Sequence, residues 1–383
     1  MKPKKEFSRR EFLKLSAMTL SGLAFTGGGT RRVLGNRFYR PNHQPSAELF
    51  PVDTPLGRIC VGAPGSRVDI KAEPYWEAST VGSAWYDDVF EWKQEVIAKQ
   101  IDPLRVNQRW VAMPEGYIYA DYVQKTHYLP QTPLDQLPET PTGERGMWVE
   151  VFAPYLDLIL TKPKNHYQHW IRNEDNLKPR IYYSQVFWAF DTRKDPETGA
   201  AQYCLKQLYG VNTPDSYWVD ASACRQITPE EIAPIHPGAE NKRVLIDLDH
   251  QVLTCFEGDQ EVFFARVSTG GWNAEDEKWS TPLGVHTTWR KMVSTNMSAG
   301  PAVGNYDIPG VGWTLVFDPY GAAIHSTFWH NYYGTMRSHG CINMKPEDAK
   351  WVWRWTEPEV SYFPGDWIAS GLVKPTQVEV IKA

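Results

Sequence analysis

Three histidines, two serines and one cysteine lie within twenty residues, in the stretch HSTFWHNYYGTMRSHGCINM from His325 to Met344. A thiol attacks a carbonyl as its thiolate, so a catalytic cysteine needs a base or a positive potential nearby. His325 lies in a strand-like run sixteen positions before Cys341. This spacing predicts a covalent enzyme in which a loop returns the chain and brings the thiol and the imidazole together.

The turn around Cys341 has the residues needed to stabilise an oxyanion. The backbone N–H groups of His339, Gly340 and Cys341 are expected to point into it, and glycine permits a conformation that a side chain would obstruct. The second imidazole nitrogen of His325 needs an acceptor, either Ser326 or a backbone carbonyl. Two more polar residues are suited to bracing the turn, namely Ser338 and Asn343.

Three other interpretations of the stretch remain. A zinc site would use His325, His339 and Cys341, but no C-x-x-C accompanies them and the sequence shows no fourth ligand. A redox cysteine would need a resolving cysteine nearby. A structural interpretation makes Cys341 a buried thiol among satisfied core histidines. We expect neither a metal nor a cofactor.

Strands and one helix must position these residues. Alternating apolar residues from Val244 to Leu248 predict a strand, the runs 252–256 and 262–267 predict two more, and Glu257-Gly258-Asp259 is a turn. Proline and acidic residues at 346–348 predict the start of a helix. Upstream, ITPEEIAPIHPG (227–238) predicts a short helical turn with Thr228 as its N-cap.

Two β-rich blocks precede this domain. Short apolar runs separated by Gly, Pro and Asp predict one small β-barrel at residues 50–125 and a second at 146–226. Residues 126–145 contain four prolines and predict a stiff, extended linker. Ser216–Asp220 resembles Gly116–Ala120, which indicates a weak internal repeat separated by about 100 residues. Both blocks resemble bacterial SH3-like modules, notably in NQRWVAMPEGYIYADYVQ. This resemblance implies cell-wall binding, with structural β-domains that bind no ligand as the alternative.

Charge is divided unevenly along the 383 residues. Residues 1–40 carry ten Lys or Arg and two Glu, a net charge of +8, so the total of -5 leaves -13 for residues 41–383. The net negative charge of residues 41–383 argues against nucleic acid as a partner. Five cysteines are too few for a disulfide scaffold, and pairing of Cys204 with Cys224 is left open.

The basic N-terminus has the order of an export segment, with a charged region, a mildly apolar run and glycines. Residues 8–14, SRREFLK, resemble the twin-arginine (Tat) signal. Because the apolar run is shorter than the roughly 20 residues that span a bilayer, membrane contact is expected only through this segment if it stays uncleaved. The resemblance implies Tat export to the cell wall or extracytoplasmic space, with tethering to the membrane left open.

The stretch IHSTFWHNYYGTMRSHGCINM resembles the L,D-transpeptidase motif, in which a histidine is followed at a fixed distance by Ser/Thr-His-Gly-Cys-hydrophobic-Asn. VLIDLDHQVLTCFEGDQEV, VSTGG and TPLGVHTTW follow the family in the same order, so the resemblance covers residues 241–383. It implies a mainly β chain, with two SH3-like barrels followed by a β-sandwich-like catalytic domain with one or two short helices. Residues 290–313 form a long insertion where the family often carries a lid.

The resemblance also implies a role for each motif residue. Cys341 is the nucleophile, His325 its base and Ser326 the orienting partner. Gly340 with Cys341 forms the oxyanion hole, and His339 shapes the pocket. Predicted substrate contacts are Ser338, Asn343, Trp329 and Tyr333, and further groove walls are Phe328 and Tyr332. Simple packing within the loop is the alternative for these four aromatic residues. His330 is interpreted as a loop residue without a role.

The implied reaction is attack on the amide between the third stem residue, a diamino acid, and D-Ala at position four. An acceptor amine then forms a 3→3 crosslink in peptidoglycan. Hydrolysis of the same acyl-enzyme, as in an L,D-carboxypeptidase, and transfer of the stem to a protein amine remain alternatives, because acceptor choice depends on groove shape and water access. A non-catalytic cell-wall-binding protein is the alternative from another class.

Overall fold

The structure, a computed structural model, describes residues 50–62, 64–161, 179–210, 216–271, 280–299, 306–371 and 374–382. Within these ranges the chain is mainly β with two α-helices, which confirms the predicted fold class. The predicted export segment, residues 1–40, lies outside the described residues. Among those that are described, neither helix is long and apolar enough to cross a membrane.

The first module, predicted at residues 50–125, contains eight strands. They are β1 Leu56–Ile59, β2 Arg67–Lys71, β3 Thr80–Trp85, β4 Val89–Glu91, β5 Gln94–Ile97, β6 Arg109–Met113, β7 Gly116–Tyr119 and β8 Val123–Thr126. They form two sheets, in the orders β4-β1-β8 and β3-β2-β7-β6-β5. In β2, Val68 and Ile70 are buried while Arg67 and Asp69 are exposed, as expected when one face of a sheet covers a core. The likeness to SH3-like modules stays a prediction.

The second module, predicted at residues 146–226, is built on a six-stranded sheet. Its strands are β9 Met147–Val151, β10 Tyr155–Asp157, β11 Ile159–Leu160, β12 Arg180–Tyr182, β13 Val186–Lys194, β14 Ala201–Lys206, β15 Ser216–Asp220 and β16 Cys224–Gln226. The sheet order is β11-β15-β14-β13-β9-β16, and β10 pairs with β12. Tyr128 and Leu137 of the proline-rich segment are buried in this module's core, so that segment is not a free spacer.

Both modules end in the same local arrangement. In the first, β7 runs into a 3-10 turn at Ala120–Tyr122 and then into β8, and in the second, β15 runs into a 3-10 turn at Ala221–Ala223 and then into β16. The two turns occupy equivalent places about 100 residues apart, as the weak internal repeat predicts.

The C-terminal domain, predicted at residues 241–383, holds two five-stranded sheets and one packed helix. Its strands are β17 Lys242–Asp247, β18 Val252–Glu257, β19 Gln260–Arg266, β20 Gly284–Thr287, β21 Arg290–Ala299, β22 Tyr306–Val316, β23 Ala323–Ser326, β24 Ile342–Met344, β25 Asp366–Ile368 and β26 Gln377–Ile381. The sheet orders are β19-β18-β17-β26-β20 and β24-β23-β22-β21-β25. Both sheets contribute to one apolar core, which is sandwich-like as predicted.

Both predicted helices are present. Helix α1, Pro229–Ile232, precedes the domain, and Glu231 Oε2 accepts the backbone N–H of Thr228 at 3.1 Å. Helix α2, Pro346–Trp355, follows β24 and carries Glu347 and Asp348 in its first turn. Because α2 packs on β22 and β23, it supports the sheet that carries the candidate site.

The segment 290–313, expected to be an insertion at a lid position, is part of the central sheet. It supplies β21 and most of β22, which pair antiparallel over almost their whole length. Lys291, Val293 and Trp313 are buried, whereas a lid would leave such side chains in solvent. The lid prediction is therefore wrong for the described part of this segment, and residues 300–305 lie outside the described residues.

A buried arginine joins the three parts of the chain. Arg58 is 1% exposed, and its Nη1 donates to Asp87 Oδ1 at 2.8 Å. Its Nη2 donates to Gln124 Oε1 at 2.9 Å and to the carbonyl of Phe328, in the loop after β23, at 2.7 Å. The guanidinium carbon also lies 4.3 Å from the ring centroid of Tyr182 in the second module. One side chain thus connects both modules to the C-terminal domain.

Replacing this arginine tests how much the connection stabilises the fold. We expect Arg58→Met to lower the free energy of unfolding by about 3–5 kcal/mol, because it removes one partner from a buried charge network. Urea denaturation measures the change. The control, Arg109→Met, removes an exposed pair with Glu95 and should cost less than about 1 kcal/mol. Equal losses in the two variants would contradict a connecting role for Arg58.

Candidate active site

Parallel pairing of β23 and β24 brings the two halves of the motif together. The register pairs Ile324 with Ile342 and His325 with Asn343, so Cys341, one position before β24, enters beside the start of β23. A parallel pair needs a connection that returns the chain to the same end of the sheet, and residues 327–341 supply it. The sixteen-residue spacing predicted from the sequence therefore corresponds to one strand, one return loop and the next strand.

His325 is fixed in one tautomer. Its Nδ1 lies 2.8 Å from the backbone carbonyl of Ser326, which accepts only, so Nδ1 carries the proton and Nε2 has the free lone pair. Of the two acceptors considered from the sequence, the structure has the backbone carbonyl rather than the hydroxyl. Burial lowers the pKa of His325 to about 4, so the imidazole is neutral at pH 7. Trp329 stacks beside it, with ring centroids 5.8 Å apart.

Cys341 is partly exposed and packs against an apolar wall formed by Met292, Val316 and Ala323. Burial raises the pKa of the thiol to about 11, and a backbone hydrogen bond from Ala323 opposes the shift. Sγ lies 4.0 Å from the Gly321 carbonyl, and the described hydrogen bonds of Cys341 do not include His325. At rest the pair is therefore a neutral thiol and a neutral imidazole.

The turn before β24 is stabilised by the side-chain hydroxyl of Ser338, one of its own residues. Ser338 Oγ donates to the Cys341 carbonyl at 2.5 Å and accepts the Gly340 N–H at 3.1 Å. Gly340 has φ +135°, which favours glycine. Its N–H, predicted as part of an oxyanion hole, is thus engaged with Ser338 in this conformation.

Two supporting motifs hold the turn from outside. Thr281, the threonine of the T-P-x-G element, donates through Oγ1 to the Gly340 carbonyl at 3.0 Å. In VSTGG, Ser268 exchanges two backbone hydrogen bonds with Asn343, and the Gly271 N–H donates to the Ser338 carbonyl at 2.9 Å. Both motifs were recognised in the sequence, and in the structure they contact the turn that carries Cys341.

The predicted substrate contacts divide by burial. Asn343 is 2% exposed and Tyr333 is 8% exposed, with the Tyr333 hydroxyl donating to the Thr327 carbonyl at 3.4 Å. The buried position of Asn343 suits the bracing role considered from the sequence, and the substrate contacts stay predictions. Trp329 and Ser338 are partly exposed.

The other aromatic residues of the loop, and His339, also differ in exposure. His339 is exposed in the turn, Phe328 is buried, and Tyr332 is half-buried. Within the described ranges, no group of three His, Cys, Asp or Glu side chains could hold a metal ion.

His330, which the sequence interpretation left without a role, is buried and hydrogen-bonded on both ring nitrogens. It is 7% exposed, its Nδ1 accepts the Tyr332 N–H at 3.2 Å, and its Nε2 lies 2.8 Å from the Asn343 amide. Because Nδ1 accepts, the neutral ring carries its proton on Nε2. The Asn343 amide, whose Nδ2 stands beside Nε2 in the structure, is therefore assigned the flipped orientation, with its oxygen accepting from the ring. The aromatic residues next to His330 in the sequence could have indicated that it is buried.

The other four cysteines differ from Cys341 in burial. All of them are buried, and all five cysteines carry free thiols, including the pair that the sequence left open, Cys204 and Cys224. Burial raises the pKa of Cys60 and of Cys204 to about 11 in each case. Only Cys341 among the five combines partial exposure with a nearby histidine-bearing strand.

Comparison with known proteins gives one family match. Residues 241–380 match the family model described as YkuD, the L,D-transpeptidase catalytic domain, over about a third of the chain. No curated protein matches the chain.

Solved structures with similarity include three L,D-transpeptidases. A mutant from Enterococcus faecium has 23% identity and a TM-score of 0.29, covering 38% of this chain and 52% of that one. The protein from Stackebrandtia nassauensis has 21% identity and a TM-score of 0.27, covering 38% and 58%. That from Mycobacterium smegmatis has 16% identity and a TM-score of 0.28, covering 51% and 90%. The chain thus spans about half the length of the first of these.

The raised thiol pKa predicts how Cys341 reacts with iodoacetamide. Since only the thiolate reacts, the alkylation rate should rise about tenfold per pH unit from pH 7 to 10 without a plateau. Intact-protein mass spectrometry should show one label, because the other thiols are buried, and none in Cys341→Ala. A plateau below pH 8 would mean that Cys341 is already a thiolate at rest, against the neutral pair.

His330 predicts a pH dependence of stability. Burial lowers its pKa to about 3 from an ordinary value near 6.5. Between these values the unfolded chain binds the extra proton, so stability is lost as the pH falls from 6.5 towards 3. His330→Gln should flatten the slope of unfolding free energy against pH, measured in urea from pH 6.5 to 4, by up to about 1.4 kcal/mol per unit. An unchanged slope in His330→Gln would refute this assignment.

Proposed function

Because residues 241–380 match the YkuD L,D-transpeptidase catalytic domain, we propose that the protein is an exported L,D-transpeptidase that acts on peptidoglycan stem peptides through Cys341. The observation that carries the proposal is the parallel pairing of β23 with β24. It places Cys341 beside the strand of His325, whose Nδ1 is already held by a carbonyl. Export through the twin-arginine segment at residues 8–14 is part of the same proposal.

In the first half-reaction, Cys341 Sγ attacks the carbonyl of the third stem residue, a diamino acid. His325 Nε2 takes the thiol proton as the carbon–sulfur bond forms. When the tetrahedral intermediate collapses, the imidazolium gives that proton to the amine of D-Ala and the amide bond breaks. D-Ala leaves, and the stem remains on Cys341 as a thioester.

In the second half-reaction, the side-chain amine of a neighbouring stem attacks the thioester. His325 accepts a proton from the attacking amine, the carbon–sulfur bond breaks, and the thiolate regains a proton. The new amide is a 3→3 crosslink. No external oxidant, reductant or metal is needed for either step.

The resting protonation states determine when the proton moves. With a thiol pKa near 11 and an imidazole pKa near 4, transfer between the free groups is unfavourable. Proton transfer therefore accompanies attack on the bound carbonyl, when the negative charge passes from sulfur to the substrate oxygen. This arrangement keeps Cys341 weakly reactive towards other electrophiles until a substrate is bound.

The oxyanion needs a hydrogen-bond donor, and in the resting turn the expected donor, the Gly340 N–H, is already bonded to Ser338. Ser338 Oγ accepts the Gly340 N–H at 3.1 Å, and the developing oxyanion is a stronger acceptor than a hydroxyl. Gly340 therefore exchanges Ser338 for the substrate oxygen, while Ser338 keeps its bond to the Cys341 carbonyl. Asn343 and His330 act by holding the loop and the nucleophile's strand in register.

A product analysis tests the proposal. Purified disaccharide-tetrapeptide is incubated with the wild-type chain, Cys341→Ala and the control Cys60→Ala, whose substituted thiol is buried elsewhere. Wild type and Cys60→Ala should release D-Ala, form dimeric muropeptides with a 3→3 bond and show an adduct by intact mass, whereas Cys341→Ala should do none of these.

Other products would identify the alternatives. Tripeptide without dimers would mean hydrolysis, as in an L,D-carboxypeptidase, and a stem attached to a protein amine would mean transfer to protein. Absence of both product and adduct in the wild type would contradict the enzyme assignment and leave a cell-wall-binding protein.

A further inference from the structure

A cleft of about 420 Å³ lies where the first module meets the loop between β23 and β24. Five aromatic side chains line it, namely Trp76, Trp110, Tyr119, Tyr122 and Tyr332. We call it the aromatic cleft. The first four belong to the first module and the last to the loop that leads to Cys341, so the cleft is made by both parts. Neither Cys341 nor His325 lines it.

The aromatic surface is held rigidly. The rings of Trp110 and Tyr119 are buried, with Trp76 packed on them at centroid distances of 5.1 and 5.0 Å. The Arg105 guanidinium lies 3.6 Å from the Trp76 centroid, and its Nε donates to Asp102 Oδ2 at 3.0 Å. Trp76 is therefore fixed while part of its surface stays exposed to the cleft. A preorganised surface of this kind loses little conformational entropy when a ligand binds.

The polar rim carries both signs of charge. Ser66, Arg67, Asp69 and Lys71 line it, and Lys71 Nζ lies 3.6 Å from Asp69 Oδ2. Lys71 also donates to Thr80 Oγ1 at 3.1 Å. A rim whose charges are partly paired favours a neutral ligand with many hydroxyl or amide groups over an anion or a cation.

We propose that the aromatic cleft binds the glycan strand of the cell wall, a neutral chain of N-acetylated pyranoses. The apolar C–H faces of the sugars stack on the exposed aromatic rings, and their hydroxyl and acetamide groups hydrogen-bond to the rim. The volume falls within the range of small-ligand clefts and suits one or two sugar rings at a time. This proposal rests on the proposed function, because the glycan and the stem belong to one polymer.

A stem peptide fits the cleft less well. It carries carboxylates, and of the two cations of the rim, Lys71 is already paired with Asp69, which leaves Arg67 to meet them. Its reacting amide must also reach Cys341, which lies outside the cleft. The glycan can occupy the cleft while a stem attached to it extends towards the nucleophile.

Binding there acts on the site through Tyr332. Its ring packs against Tyr122 with centroids 6.1 Å apart, and its N–H donates to His330, which contacts Asn343. A sugar stacked between the module and this loop therefore holds the loop against the module. Recognition of the glycan and positioning of the nucleophile's strand share this series of contacts.

Isothermal titration calorimetry of the full chain with a β-1,4-linked N-acetylglucosamine tetramer tests the proposal. The titrations use a Cys341→Ala background, so that binding is measured without turnover. The tetramer should bind, and Trp76→Ala and Tyr332→Ala should each weaken Kd at least tenfold. Trp85→Ala should leave Kd unchanged, since Trp85 is 46% exposed in the same module and does not line the cleft.

A second variant distinguishes a loss of binding from a loss of folding. Lys71→Met keeps the length of a rim side chain but removes its donor, and it should weaken Kd with an unchanged thermal melt. Absence of tetramer binding, or equal Kd values for Trp76→Ala and Trp85→Ala, would overturn the proposal. Binding of free stem tetrapeptide in place of the tetramer, lost in Trp76→Ala, would overturn it in favour of a peptide site.

The cleft assignment and the proposed function can be contradicted independently of each other. If the tetramer binds as described but wild-type Cys341 never forms an adduct with disaccharide-tetrapeptide, the cleft assignment stands and the proposed function falls. If the adduct forms but the tetramer does not bind, the cleft assignment is overturned and the proposed function stands.

Discussion

The buried guanidinium of Arg58 is the interaction on which the arrangement of the chain depends. A charge that is 1% exposed is stable only when its donors are satisfied, and those of Arg58 reach Asp87, Gln124 and the Phe328 carbonyl. The last of these acceptors belongs to the loop between β23 and β24. The first module is therefore part of what holds the candidate site in shape, and the aromatic cleft lies along the same contact.

Burial also determines the protonation states of Cys341 and His325. Apolar packing around Cys341 and His325 disfavours the charged form of each, so the thiol pKa is raised and the imidazole pKa is lowered. Cys341 and His325 therefore form no ion pair at rest. In the mechanism that we propose, reactivity depends on a bound substrate that accepts the negative charge as the proton leaves sulfur.

Much of the architecture could be predicted from the sequence. Alternating apolar residues located β17 and an apolar run located β18. A capping threonine with proline located α1, and proline with acidic residues located α2, because these signals are local. The role of 290–313 could not be predicted, since a strand buried inside a sheet and a lid can both be long and apolar. Arg58 and His330 were missed for the same physical reason. Their partners, Phe328 and Asn343, lie 270 and 13 positions away and become neighbours only after folding.

The rate of single-turnover acylation tests the central claim, that His325 acts as the base for Cys341. Stem tetrapeptide is mixed with excess enzyme, and the acyl-enzyme is followed by intact mass in the wild type and in His325→Gln. A thioester should form on Cys341 of the wild type, and its rate of formation should be about 10²- to 10⁴-fold lower in His325→Gln. Equal rates in the two proteins, or an adduct on a residue other than Cys341, would contradict it.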